Sequence, residues 1–237
     1  MAKRYLLLEI NKSLIIPLKE ETEEVLLILK RFSQYLEPET ELIVVLDSDS
    51  DPTYEILKNS DLNIIILLSE FHPGASNAIK YGISKCNGKF VCIAMGDGSD
   101  DPTQVEDLLS MVERGLSISV ASRYSKGGEF VGKKDIKYFL SKYSGRLLYY
   151  LFRVGTKDPT NMFKAYDKNF LQEINIESTV GFTLGLELIV KAKLKRKSIG
   201  EIPTVWIDRT FGESKFVLSK FIPKYLVWVK RLILKRI

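Results

Sequence analysis

Two acidic turns follow directly on apolar runs, and they are where this sequence places its chemistry. The first lies in Phe90-Val-Cys-Ile-Ala-Met-Gly-Asp-Gly-Ser-Asp-Asp-Pro102. An Asp among small residues lets a hard cation approach the backbone. Mg²⁺ takes oxygen ligands and commonly uses only one or two carboxylates plus substrate phosphates. Asp97 is therefore the candidate ligand, while Asp100 or Asp101, just before Pro102, reads as a cap for the helix that follows. The second turn lies in Ile43-Val-Val-Leu-Asp-Ser-Asp-Ser-Asp-Pro-Thr53. Its alternating acids suit either a metal or a solvated turn, and taken alone the turn reading is favoured. Asp47 is nearest the apolar run and is best placed to accept a hydrogen bond from the N–H of a base.

These turns need a scaffold, and the spacing of apolar residues supplies one. Strands are expected at Ser13–Ile16, Glu41–Leu46, Leu62–Leu68, Lys89–Met95 and Leu116–Ala121, with helices at Glu21–Leu36, Thr53–Lys58, Ala75–Cys86 and Gln104–Arg114 between them. Continuously apolar strands alternating with helices predict an α/β fold, a mostly parallel sheet covered on both faces. Ligands of such open sheets bind at the carboxyl ends of the strands, where both acidic turns fall. The second half is less regular. A long amphipathic helix is expected over Lys133–Val154, a turn and short strand over Asp158–Tyr166, a helix over Leu184–Leu194, a strand over Ser198–Trp206 and a Gly-containing loop over Phe211–Lys215. The apolar and basic stretch Phe216–Ile237 reads as a tail, so residues 1–215 form one domain and 216–237 a membrane-facing appendix.

Composition bounds the function. The 237 residues carry a formal net charge of +5, with 45% apolar and 27% charged residues. Lys and Arg crowd the stretch from Lys126 onward, which suggests an acidic partner for that half: a phosphate ligand, nucleic acid or an anionic membrane. Nucleic acid is disfavoured, because the aromatics form no single-strand stacking platform and the acidic turns would repel phosphate. A single histidine, His72, argues against His-based triads and His-rich metal sites. Cys86 and Cys92 match no metal-ligand spacing and read as reduced, buried thiols. No secretory signal and no uninterrupted apolar stretch of roughly 20 residues is seen, so a cytoplasmic protein with at most peripheral membrane contact is expected.

In this order the segments resemble glycosyltransferase family 2, and within it the dolichol-phosphate mannose synthase-like group. Ile15-Ile-Pro-Leu-Lys-Glu-Glu21 is similar to the family's opening strand and turn, Val44–Thr53 to its base-receiving turn, and Pro73–Gly82 to its Gly-x-x-x-Ala-x-x-x-Gly helix. Asn87-Gly88, Asp97–Pro102, Ala121-Ser-Arg-Tyr124, Asp158–Tyr166, Glu201-Ile-Pro203, Asp208-Arg209 and Gly212–Lys215 follow in the family's order. The resemblance implies a GT-A type, Rossmann-like nucleotide-sugar domain. It implies that Pro17, Glu21 and Asp47 hold the nucleoside, that Gly96 lies against the nucleotide-sugar, and that Asp97 binds Mg²⁺ or Mn²⁺ with Ser99 beside it. Arg123 and Arg209 would face phosphates as catalytic groups with Asp97, Lys215 would support the closing loop, and Lys137 and Ser141 would hold the acceptor phosphate. Three positions depart from the family: Lys19 stands at its stacking Tyr, Leu46 at the first Asp of the base turn, and Met95 at the first Asp of the Asp-x-Asp loop.

The implied reaction moves mannose from GDP-mannose or glucose from UDP-glucose to a polyprenyl or dolichyl phosphate, with inversion. A lipid phosphate is already an anion and needs no strong general base, in keeping with the scarcity of histidine. What it needs is charge neutralisation and in-line placement, which a metal and arginines provide. Without the motifs, Arg123 and Arg209 would read as surface ion pairs. Lys133–Val154 suits a membrane interface or packing on the protein itself about equally, whereas the tail favours the cytoplasmic face of a membrane.

Overall fold

A computed structural model describes residues 9–179, 181–208 and 218–235. The first half alternates strand and helix as the apolar pattern requires: β1 (Lys12–Pro17), α1 (Glu24–Tyr35), β2 (Thr40–Leu46), α2 (Pro52–Lys58), β3 (Ile65–Leu68), α3 (Ala75–Lys85), β4 (Phe90–Ile93), a 3₁₀ turn at Pro102–Gln104, α4 (Val105–Glu113) and β5 (Ile118–Ser122). There follow β6 (Glu129–Val131), α5 (Ile136–Phe152), β7 (Lys164–Asp167), α6 (Lys168–Gln172), α7 (Gly181–Leu194), β8 (Ile199–Pro203), β9 (Val205–Ile207) and α8 (Leu218–Leu234).

The main sheet has seven strands in the order β3-β2-β1-β4-β7-β5-β8. All neighbours are parallel except β7, which runs antiparallel to both β4 and β5. Strand alternation sends side chains to opposite faces, and each face has its own core. Ile15, Ile43, Val45, Val91, Ile93, Ile118 and Val120 face α3 and α7. Leu14, Ile16, Leu42, Val44, Cys92 and Phe163 face α1 and α4. Both cysteines are buried and unpaired, as expected from sequence.

The second half departs from the expected pattern in ways that shape the site. The run Ser198–Trp206 is not one strand. It breaks at Thr204, whose N–H donates to the Ser122 carbonyl. β8 closes the main sheet beside β5, while β9 leaves to pair with β6 in a second, two-stranded parallel sheet. The stretch 216–237 forms α8 as far as it is described. This helix buries Trp228 and Leu232 against α7 and exposes Leu226, Val227, Ile233 and Leu234. The loop expected at Phe211–Lys215 lies outside the described residues. Among the described residues no helix is long and apolar enough to cross a membrane.

Candidate active site

The carboxyl end of β4 opens into the loop Met95–Asp101. Gly96 lets this loop pass against the β1 turn, since a Cβ there would lie 2.0 Å from Leu18 Cδ2. Asp97 Oδ1 accepts from the Ser99 N–H at 3.1 Å. Asp101 accepts from the Thr103 N–H and caps the 3₁₀ turn, one of the two roles read from sequence. Asp100 does not cap. It is 5% exposed, and its Oδ2 accepts from the Met95 N–H at 2.9 Å. Burial first, and the Asp97 charge second, push its carboxyl up to about 7. Among the described residues Ser99 Oγ is buried with no hydrogen-bond partner, and the Ser99 carbonyl accepts from the Ile207 N–H of β9 at 3.3 Å.

The residues that the resemblance gives to the nucleoside lie at the ends of the neighbouring strands. Pro17 ends β1, and the next residue, Leu18, donates its N–H to the Val45 carbonyl at 3.0 Å. Glu20 N–H donates to Asp51, which also caps α2, and Glu21 N–H donates to Thr53 Oγ1 at 2.8 Å. The opening turn is thereby fastened to the base turn. Asp47 accepts from the Gly74 N–H with both oxygens, at 3.0 and 3.1 Å, which hangs the segment before α3 from the end of β2. Lys19 Nζ lies 3.9 Å from Asp47, which sets a cation beside this carboxylate.

The third part forms where β5 meets α5. Arg123, just past β5, is gripped by the fully buried Asp158. Its backbone N–H and Nε donate to Oδ2 at 3.0 and 2.7 Å, and its Nη2 donates to Oδ1 at 2.8 Å. Arg123 is thus paired, but in the interior and not on the surface. Its Nη2 also donates to Ser141 Oγ at 3.3 Å, and Ser141 Oγ lies 3.0 Å from Thr160 Oγ1. The guanidinium carbon is 5.0 Å from the Tyr124 ring centre and 5.6 Å from that of Trp206. Lys137 and Ser141 sit one turn apart on α5, so they share a face. Asp135 caps this helix by accepting from the Lys137 and Tyr138 N–H groups. Arg209 and Lys215 lie outside the described residues.

Acids at the strand ends and a half-buried Arg held beside a helix gather at the carboxyl ends of the strands, and the sequence comparison decides the family. Residues 13–174 match the profile described as glycosyl transferase family 2. The chain belongs to this family. Among relatives, the dolichol-phosphate mannosyltransferase of Pyrococcus furiosus is 28% identical over 226 residues, covering 93% of this chain and 63% of its own length. This chain therefore spans less than two thirds of that relative. The polyprenol monophosphomannose synthase of Mycolicibacterium smegmatis is 27% identical over 210 residues, covering 85% of this chain and 79% of its own. In three dimensions the chain resembles glucosyl-3-phosphoglycerate synthase of Mycobacterium tuberculosis, solved with Mn²⁺, UDP and glucosyl-3-phosphoglycerate. The TM-score is 0.67 at 14% identity, with 95% of this chain and 78% of that one covered. That likeness establishes the GT-A type fold.

Within this family-2 fold, sequence reasoning missed one partner. Asp158 stands 35 residues from Arg123, and only the Asp-Pro-Thr resemblance hinted at it. The Met95–Asp101 loop fits a hard divalent cation in its donors. Asp97 and Asp100 repel each other, and Ser99 Oγ has no protein partner among the described residues. No group of three or more His, Cys, Asp or Glu gathers among the described residues, so substrate phosphate and water would complete the shell.

Proposed function

We propose that this protein transfers a hexose from a nucleoside-diphosphate sugar to the phosphate of a polyprenyl or dolichyl phosphate, inverting the anomeric carbon. The observation that carries the acceptor is the contact between Arg123 and Ser141. It puts a guanidinium and a hydroxyl together at the root of α5, a helix whose Ile136, Phe139, Leu140, Tyr143, Leu147 and Leu151 are exposed. A phosphate with an apolar tail matches a guanidinium and hydroxyl at the foot of a helix with an exposed apolar face. The relatives whose names specify mannose transfer to dolichol phosphate and polyprenol support the same reading, with GDP-mannose as the first donor to test and UDP-glucose as the second.

The roles follow from position. Pro17, Glu21 and Asp47 frame the nucleoside. Asp97 and Ser99 would hold Mg²⁺ or Mn²⁺, and the metal's contribution would be to neutralise the departing diphosphate. Arg123, with Lys137 and Ser141 on α5, orients the acceptor phosphate, and the resemblance gives Arg209 a phosphate to face and Lys215 the support of the closing loop. The acceptor oxygen attacks the anomeric carbon as the bond to the diphosphate breaks. No proton has to be removed, because the attacking phosphate is already ionised. The apolar faces of α5 and α8, with their lysines and arginines, rest on the cytoplasmic leaflet of the cell membrane.

Transfer of labelled sugar to polyprenyl phosphate tests this reading, with Mn²⁺ or EDTA and with Asp97→Ala. Metal-dependent label in the lipid fraction, lost with Asp97→Ala, is expected. A second reading, a nucleotide-sugar-binding partner with little turnover, is favoured by Met95 standing at the first Asp of the metal loop. Binding of either donor without transfer would select it.

A further inference from the structure

Three lysines among the described residues are almost fully buried, and they are not alike. Lys12, 3% exposed, meets Glu37 at 2.5 Å and Glu106 at 3.3 Å. Lys191, 1% exposed, meets Glu187 at 2.8 Å and Glu177 at 2.9 Å. Both are compensated ions whose place in the fold needs no further reason. Lys164 is 0% exposed, and among the described residues no carboxylate forms an ion pair with it. Its Nζ donates to the Pro159 carbonyl at 3.2 Å. Burying an ammonium without a paired anion is costly, and a methionine of similar shape would fill the space without that cost. Burial accordingly pulls the Lys164 ammonium down to about 7, opposed by the fields of Asp158 and Asp100.

The position of Lys164 supplies the reason for keeping it. It lies on β7 opposite Ile93 of β4 and Val120 of β5, between the strand that leads to the metal loop and the strand that leads to Arg123. Gly185 of α7 makes room for it, since a Cβ there would stand 3.1 Å from Lys164 Nζ and 2.9 Å from the Asn161 carbonyl. The carbonyl that Lys164 donates to, that of Pro159, follows directly on Asp158, whose carboxylate holds the Arg123 guanidinium. Remove the ammonium and Arg123 alone faces the Asp158 carboxylate. Its charge is then spent inside the protein.

We propose that Lys164 is a positioning residue for phosphate binding: its buried ammonium offsets Asp158, so that Arg123 retains attraction for the phosphate anion that binds beside Ser141. This inference rests on the acceptor reading above and names a residue that never touches the acceptor. It predicts a particular split. Lys164→Met removes the charge and relieves the desolvation, so the melting temperature stays the same or rises. Phosphate affinity falls on the order of tenfold, the effect of one unit charge acting over several ångströms at protein-like dielectric. Lys164→Arg keeps the charge and preserves affinity.

The full-length chain is titrated with geranyl phosphate, a short soluble prenyl phosphate, while tryptophan emission is followed. Trp206 lies against Arg123 and reports on its occupancy. Weaker binding by Lys164→Met at undiminished melting temperature, with wild-type-like binding by Lys164→Arg, is the expected result. Equal binding by wild type and Lys164→Met overturns the proposal. So does a fall in melting temperature that parallels the loss of binding, which would make Lys164 a structural residue only. Wild-type protein that does not bind geranyl phosphate overturns it as well. Wild-type protein that binds geranyl phosphate but transfers no sugar removes the transferase reading alone, and the Lys164 comparison still decides the inference.

Discussion

Asp97 and Arg123 illustrate how differently two functional side chains are held. Asp97 accepts from the Ser99 N–H of its own loop, at the end of β4 where the sequence places a cation. Replacing it by Asn keeps the shape and removes the charge. Transfer should fall roughly a hundredfold, the usual scale for losing one electrostatic contact to a developing charge, and Mn²⁺ affinity measured by calorimetry should fall with it. An Asp97→Asn enzyme with unaltered Mn²⁺ affinity would move the metal elsewhere. Arg123 is instead locked to a fully buried carboxylate. Asp158→Ala leaves its guanidinium unpaired and should destabilise the fold by about 3–5 kcal/mol, read as a drop in the urea midpoint. A shift below about 1 kcal/mol would show that water reaches the pair. The sequence made Asp97 legible because small residues beside a strand end are a local signal. It offered Asp100 or Asp101 as the cap without separating them, because the Asp100 bond to the Met95 N–H depends on how the loop folds back. It read Arg123, motifs aside, as a surface ion pair, because its partner lies across the fold.

Elements show the same divide between local and long-range information. The parallel half was legible because each strand is a continuous apolar run bounded by turn residues. β7 entering antiparallel between β4 and β5 was not, since four residues carry no direction. The split of Ser198–Trp206 was also hidden. Thr204 breaks the strand by bonding to Ser122, a contact across the sheet, and the three residues of β9 are too few to show a period. That break matters to the site, because it lets β9 reach the Ser99 carbonyl. The seating of α5 gives a sharp test. Gly145 sits inside this helix, where Ala is ordinarily better by about 1 kcal/mol. Here a Cβ would lie 2.3 Å from the Lys157 carbonyl, on the turn that carries Asp158. Gly145→Ala should therefore lower the melting temperature and weaken geranyl phosphate binding together. A more stable variant would mean that α5 slides freely. For α8, Glu177 accepts from both Arg231 nitrogens, at 2.6 and 2.7 Å, and these bonds with Lys191 hold its carboxyl down at about 2. A depressed carboxyl contributes stability above its unfolded value near 4.5 and loses it as pH falls toward 2. Between these pH values Glu177→Gln should destabilise progressively less relative to wild type, as measured by chemical denaturation. A pH-independent difference would show that the contact is not electrostatic.

At the scale of the molecule, the question is what covers the exposed apolar side chains. The net charge is +5, and α8 turns Trp228 and Leu232 inward while leaving Leu226 and Ile233 more than half exposed, at 59% and 58%. The inward face belongs to the core: Trp228 lies between Lys191 and Arg231, 5.1 and 4.7 Å from its ring centre. The stretch read from sequence as a membrane tail is thus anchored to the domain on one side and apolar on the other. An interfacial helix binds through buried apolar area plus attraction to anionic lipid, and the two contributions separate with salt. The protein should float with vesicles containing phosphatidylserine and bind neutral vesicles more weakly. Raising the salt to about 1 M, where screening falls to roughly 3 Å, should remove the preference for anionic lipid while leaving residual binding. Leu226→Glu with Ile233→Glu should abolish that residue of binding without changing the melting temperature, because neither side chain is packed. Binding that vanishes completely in salt would assign the association to charge alone. Loss of melting temperature in the double variant would instead place these residues against protein, and the apolar face of α8 would have to be covered by another copy of the chain or a partner.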